Sequence, residues 1–297
     1  MTAVQLSSDP PGDALDSAER HPLPPRKSNS HAARQWLVDY GSRRILGMRV
    51  DGTTYRETTD SVAEMAVSGS GGMVCVATVH MVMEAFDDPA FQRIVNSAER
   101  VTPDGVPLVA ALRLLGIPQA QRVYGPTLTP IVCERAAELG LAVGFYGGTP
   151  EVLDAMLQEL TRRFPKLRVP FSYSPPFRPL SVAEDAAVID AIQAADVRVL
   201  FVGLGCPKQE RWMAAHRDSL ACAMLGVGAA FDFLAGTKSQ APRWMRRRGL
   251  EWLYRLIAEP RRLWRRYLIG NPRFIYHFAR ERLRGSAPST VPIERND

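Results

Sequence analysis

The feature that most constrains the fold of this chain is a series of apolar, β-branched runs of strand length in which polar residues do not alternate. They are Met73–Val79 (MVCVATV), Leu141–Tyr146 (LAVGFY), Val197–Val202 (VRVLFV) and Cys222–Val227 (CAMLGV). A strand with one wet face alternates, whereas a continuous run suits a strand buried on both faces. Helical patterns lie between the runs, at Met81–Ala98, Val106–Leu115, Pro130–Leu139, Pro150–Phe164, Val182–Ala195 and Pro207–Ser219. Alternating strands and helices predict an α/β class, a Rossmann-like parallel-sheet core with helices on both faces. Ligands are then expected at the carboxyl ends of the strands. One more short strand is expected around Arg44–Val50 (RRILGMRV).

Composition sets the surroundings of that core. The 297 residues are 46% hydrophobic and 23% charged, the profile of a core-forming protein. No stretch approaches the roughly 20 apolar residues of a membrane-spanning helix, and the first residues lack a basic region followed by an apolar one, so no secretory signal is expected. Cys75, Cys133, Cys206 and Cys222 form no CxxC pair, which argues against a zinc site or disulfide framework and for a reducing cytoplasm. Residues 1–34 are rich in Pro, Ser and charge and read as a disordered tail, with order beginning near Trp36; residues 285–297 read as a second tail.

The charge is unevenly placed. Thirteen arginines and only three acids, Glu251, Glu259 and Glu281, fall between Arg243 and Arg284, and without that segment the net +6 would turn negative. The pattern also changes there: after the expected core of residues 35–240, residues 241–284 read as two or three helices interrupted at Pro260 and Pro272, with no strand. Trp244, Trp252 and Trp264 lie among these arginines. Such a segment could be a solvated basic face or a nucleic-acid binder, but no nucleic-acid module is apparent. Tryptophan beside arginine on amphipathic helices fits an anionic membrane surface together with a diphosphate, and that reading is preferred.

Three glycine turns follow apolar strands: Tyr146–Thr149 (YGGT), Val202–Trp212 (VGLGCPKQERW) and Gly226–Phe233 (GVGAAFDF). Each could serve only strand–helix packing; together they indicate a nucleotide-type site, with Gly147, Gly203, Gly205, Gln209 and Asp232 as candidates. None is a Walker loop or GxGxxG, which counts against a dehydrogenase. In Val101–Gly105 (VTPDG), a short strand delivers Asp104 to a helix start, as a cap or as a general base. His80 follows a strand and, lacking a partner at ligand spacing, reads first as structural. No DxD or His/Asp/Glu cluster suggests a metal, and no cofactor is expected; anionic charge would be met by Arg and Lys.

The succession TPDG, RVYG, GFYGGTPEV, VGLGCPKQE, GVGAAFDFLAG and APRWMRRRGLEWLYRLIAEPRRLWRRY resembles the WecG/TagA/CpsF glycosyltransferases, glycosyltransferase family 26, from about Arg44 to Phe274. That resemblance implies an inverting, metal-independent hexosyltransferase. It would move a sugar from a UDP donor to a polyprenyl-diphosphate-linked saccharide at the inner face of the cell membrane, in cell-surface polysaccharide synthesis. It also implies Asp104 as catalytic base and Arg122 and Gln209 as ligand-binding residues, with Arg255, Arg262 and Arg265 closing over the site. Many members carry asparagine at the end of the first core strand; here Thr78 takes that position and His80 follows two residues later, which opens the donor to plain hexoses as well as N-acetylmannosamine. Arg262 and Arg265 would meet the leaving diphosphate. The exposed helices of such a core offer surfaces for a homo-oligomer, and no nucleic-acid partner is expected. The rival reading is a non-enzymatic basic protein that binds anionic lipid or nucleic acid through its C-terminal helices.

Overall fold

The computed structural model describes residues 41–242, 244–245 and 248–284. The two expected tails, the start of order near Trp36, and Arg243, Arg246 and Arg247 lie outside the described residues. The Arg44–Val50 segment is not one strand but a hairpin of β1 (Ser42–Ile45) and β2 (Met48–Asp51). The cause is local: Leu46 and Gly47 both take positive φ, at 53° and 84°, and turn the chain back.

The remaining strands are β3 (Gly72–Ala77), β4 (Arg100–Pro103), β5 (Ala142–Gly147), β6 (Arg168–Tyr173), β7 (Val199–Gly203) and β8 (Ala223–Gly226). They form one six-stranded sheet in the order β4-β3-β8-β7-β5-β6, with every pair parallel. The sequence runs without alternation are the central strands, and β3, β5 and β8 are buried at every residue. One apolar cluster joins the sheet to Phe91, Leu108, Ile189 and Met213; the other joins it to Val62, Val132, Met156 and Phe231. A Rossmann-like sheet covered on both faces follows.

The helices start where local chemistry stops the strands. In α1 (Tyr55–Ser68), which the sequence reading lacked, Thr54 and Glu57 form a reciprocal capping box. The expected Met81–Ala98 helix is two: α2 (Val79–Asp87) and α3 (Pro89–Asn96). Pro89 disfavours helical backbone at Asp88, whose carboxylate then caps the N–H groups of Ala90 and Phe91. There follow α4 (Val106–Leu114), α5 (Gly125–Glu138, beginning five residues before Pro130), α6 (Pro150–Arg163), α7 (Val182–Ala194), α8 (Lys208–His216) and α9 (Ala230–Leu234).

The arginine-rich segment supplies α10 (Glu251–Ala258), α11 (Pro260–Trp264), a π-helical stretch (Arg265–Gly270) and α12 (Asn271–Leu283). Pro260 opens α11 at its first turn, as a helix start allows. Pro272, expected to interrupt the segment, does not: helical geometry continues from Pro260 to Leu283. Its ring would meet the carbonyl of Leu268 in a plain α-helix, and the wider π turn lies just ahead of it.

Candidate active site

Two cavities open beyond the carboxyl ends of β3, β4, β7 and β8. The larger has a volume of about 490 Å³ and is bounded by the turns after those strands and by the C-terminal helices. The smaller, about 90 Å³, lies between the start of α4 and the C-terminal helices, against Val106, Pro107, Trp252 and Tyr267. Thr78, His80, Asp104, Arg255 and Arg266 line both and so form their common wall.

Asp104 is held in that wall by its backbone. Its N–H donates to the Ala77 carbonyl at 2.8 Å, which ties the chain after β4 to the end of β3. Its carboxylate is largely buried and meets Arg122, with Nη2 at 3.1 Å and Nε at 3.3 Å from Oδ1. Arg122 Nε also donates to the Asp104 carbonyl. The other arm of Arg122 donates to Glu251 Oε2 at 2.8 Å, so one guanidinium joins the core to α10. Burial raises the Asp104 carboxyl to about 6; Arg122 opposes that shift and the nearby Glu251 charge adds to it. Burial works against the Arg122 charge, but the two carboxylates outweigh it and hold the guanidinium above its ordinary value.

The turn after β7 supplies the opposite wall. Gly205 has φ of 78° and open space where a Cβ would point, and its N–H donates to Gln209 Oε1 at 3.1 Å. Gln209 Nε2 donates in turn to Glu210 Oε1 at 2.7 Å, so the buried Glu210 fixes which end of the amide faces the turn. Burial pushes the Glu210 carboxyl to about 7. His80 is drawn the other way: burial first, then the Arg266 charge, lower it to about 4, leaving a neutral imidazole at neutral pH.

The sequence candidates therefore divide. Thr78, His80, Asp104, Gly205, Gln209, Arg255, Arg262 and Arg265 line the larger cavity, and Arg122 lines the smaller. Gly147, Gly203 and Asp232 line neither. A Cβ on Gly147 would lie 2.6 Å from the Gly203 backbone, and one on Gly203 would lie 2.7 Å from the Phe231 ring, so tight packing accounts for both glycines. Asp232 pairs with Lys238 at 3.3 Å. Glu251 and Arg266 were not singled out in the sequence. Glu251 is one acid in GLEWLYRL and Arg266 one half of an arginine doublet, and only the packing of the helices distinguishes them. Among the described residues, no group of three His, Cys, Asp or Glu side chains is placed to hold a metal ion.

A buried carboxylate raised toward neutrality, beside arginines and glycine turns at the carboxyl edge of a parallel sheet, is the arrangement of an α/β enzyme site. Residues 43–288 match the model of the glycosyl transferase WecG/TagA/CpsF family, so the chain belongs to that family and is a glycosyltransferase. It is similar to the N-acetylglucosaminyldiphosphoundecaprenol N-acetyl-β-D-mannosaminyltransferase of Bacillus spizizenii, 30% identical over 206 residues, which are 69% of this chain and 77% of that one. The protein of the same name from Staphylococcus aureus is 29% identical over 239 residues, 80% of this chain and 91% of its own. Family membership sets aside the non-enzymatic reading.

Proposed function

We propose that this glycosyltransferase moves a hexose or N-acetylhexosamine, of the N-acetylmannosamine or glucose type, from a UDP-sugar to a polyprenyl-diphosphate-linked saccharide. It inverts the anomeric centre and needs no metal ion. The observation that carries this reading is Asp104 in the wall shared by two cavities, one with room for a sugar nucleotide and one bordered by apolar side chains. Asp104 takes the proton from the acceptor hydroxyl, whose oxygen attacks the anomeric carbon from the side opposite the leaving diphosphate. Gln209 and the Gly205 turn hold the nucleotide, and Thr78 and His80 face the sugar. The printed names of the relatives, which act on an N-acetylglucosaminyl diphosphoundecaprenol, support the acceptor class.

The C-terminal helices bring the enzyme to that acceptor. Trp244, Trp252, Ile257, Trp264, Leu268 and Ile275 are exposed among arginines, a pattern suited to the headgroup layer of an anionic membrane. Among the described residues no helix is long and apolar enough to cross a membrane. The product serves cell-surface polysaccharide synthesis.

The test is transfer from a panel of UDP-sugars to a polyprenyl-diphosphate-linked sugar in liposomes containing EDTA, with Asp104→Asn beside the wild type. Product from the wild type alone, at undiminished rate in EDTA, supports donor class, base and metal independence together. Equal product from both proteins removes Asp104 as the base. Loss of wild-type product on adding EDTA, restored by a divalent cation, overturns metal independence.

A further inference from the structure

One helix of the core departs from the pattern of the others around it. Helices α1 and α6 bury an apolar face and turn Arg56, Asp60 and Glu64, or Glu151, Gln158 and Arg162, to solvent. Helix α4 buries Leu108, Val109, Ala111 and Leu112, yet its outer face is apolar as well. Val106, Ala110 and Leu114 recur every four residues along that face, with Pro107 beside them, and all four are exposed. Leu114 is 67% exposed and Val106 45%. Arg113 is the one charged side chain of the helix, and residues 106–121 contain no acid. A helix apolar on every side is ordinarily buried, so one that keeps a face in water marks a surface for something else to cover.

The position of this stripe indicates what covers it. Helix α4 begins two residues after Asp104, and Val106 and Pro107, which head the stripe, also line the smaller cavity with Asp104, Trp252 and Tyr267. A Cβ on Gly249 would meet Val106 at 3.6 Å, so the chain leading into α10 rests on the head of the stripe. Ala110 and Leu114 stay exposed beyond it. They lie about 6 Å and about 12 Å along the helix axis from Val106. The stripe is an apolar track that starts at the cavity holding Asp104 and runs away from it.

We propose that the exposed face of α4 carries the first isoprene units of the acceptor; this rests on the polyprenyl-diphosphate-linked acceptor proposed above. Covalent connectivity selects that occupant. The acceptor hydroxyl must reach Asp104, and the sugar nucleotide takes the larger cavity, so the acceptor enters through the smaller one. Its sugar and diphosphate separate the hydroxyl from the hydrocarbon and pass Val106 and Pro107, and the hydrocarbon then meets Ala110 and Leu114. Without an acid in residues 106–121, the helix sets no like charge against the passing diphosphate. A bilayer acyl chain or a second copy of the protein has no such tie to Asp104. The track gives the catalytic core its own grip on the lipid, so the length of the chain, and not the sugar alone, enters the choice of acceptor.

Isothermal titration of N-acetylglucosaminyl diphosphate carrying one isoprene unit or three tests the assignment, each below its micelle concentration and free of detergent and vesicles. Wild type should bind the three-unit acceptor about tenfold more tightly than the one-unit acceptor. In Ala110→Gln with Leu114→Gln, two exposed helical positions given a good helix former, that gain should shrink to less than about threefold. Leu114→Met, which keeps an apolar chain, should retain it. Equal affinity of wild type for the two acceptors would overturn the proposal. So would equal weakening of both acceptors in the double variant, the mark of a packing role. If the double variant kept the full gain but lost sedimentation with anionic phospholipid vesicles, or changed its mass in solution, the face would belong to the bilayer or to a second copy, and the proposal would fall. A wild type that binds neither acceptor would instead bring down the acceptor reading itself, an outcome separable from these.

Discussion

The sheet and the C-terminal helices solve opposite problems. The sheet buries almost all its apolar residues and orders the turns at its edge through internal hydrogen bonds, as the Gly205–Gln209–Glu210 relay does. From α10 onward, the C-terminal helices bury Leu263, Phe274 and Glu251 and leave Ile257, Leu268, Ile275 and Leu283 more than half exposed. They reach the core largely through ionic or polar links: Glu251 to Arg122, Arg266 to Thr78 and Arg273 to Asp87. A region that keeps apolar side chains outside and meets the core through charged and polar pairs is fitted to surfaces other than its own core. The comparison teaches where to look for each property: folding energy in the sheet, and the proposed contact with the membrane in the helices.

The strongest way to break that division is Asp104→Asn. If Asp104 serves chemistry at the expense of the fold, turnover should fall about 10²- to 10⁴-fold with stability kept or improved. The sign follows from linkage. The folded carboxyl, at about 6, lies above its unfolded value, so it takes up protons on folding between the two and stability declines as pH rises through that window. Thermal melts at pH 5 and pH 8 should therefore differ less in the Asn variant than in the wild type. Next in size is Gly147→Ala, which drives a methyl into the Gly203 backbone from φ of 126°. It should cost about 1–3 kcal/mol or more in chemical denaturation. If it were neutral, the glycine would have to be credited to a ligand after all.

On the other side of the comparison, Ile257→Ser with Ile275→Ser should weaken sedimentation with anionic liposomes severalfold, yet alter the unfolding free energy by less than about 0.5 kcal/mol per site. A large loss of stability would show that these side chains belong to the fold. The smallest effect expected is in Glu251→Gln. Removing that charge lowers the Asp104 carboxyl, so the acidic limb of kcat/KM should move from about 6 toward lower pH. A limb that stays in place would mean the helices contribute nothing to the basicity of the core residue.

Much of this was legible in the sequence, for reasons that also explain the rest. The central strands stood out because burial on both faces leaves no room for polar residues. β6, with Pro170 inside RVPFSY and only β5 as neighbour, is an edge strand, half-buried and without that signature. The α1 helix has a polar first half, YRETTD, and its readable mark is the Thr54–Glu57 box rather than its period. Asp104, Gln209 and the glycine turns announced themselves as turns after strands. Glu251 and Arg266 could not, because their significance depends on which face of a helix meets the sheet, and that is decided by packing over separations of 129 and 188 residues.

The π stretch has an evolutionary corollary. Such a turn accommodates one residue more than an α turn over nearly the same rise, so Arg265–Gly270 acts as a stored insertion. A homologue that closes it to plain α geometry while keeping the buried anchor at Phe274 would lose one position from its count. Both arginines of the doublet line the larger cavity here, so in such a homologue the residues facing the cavity would sit one step out of register with Arg265 and Arg266 in an ungapped alignment, and superposition on the sheet would be the safer guide to their roles.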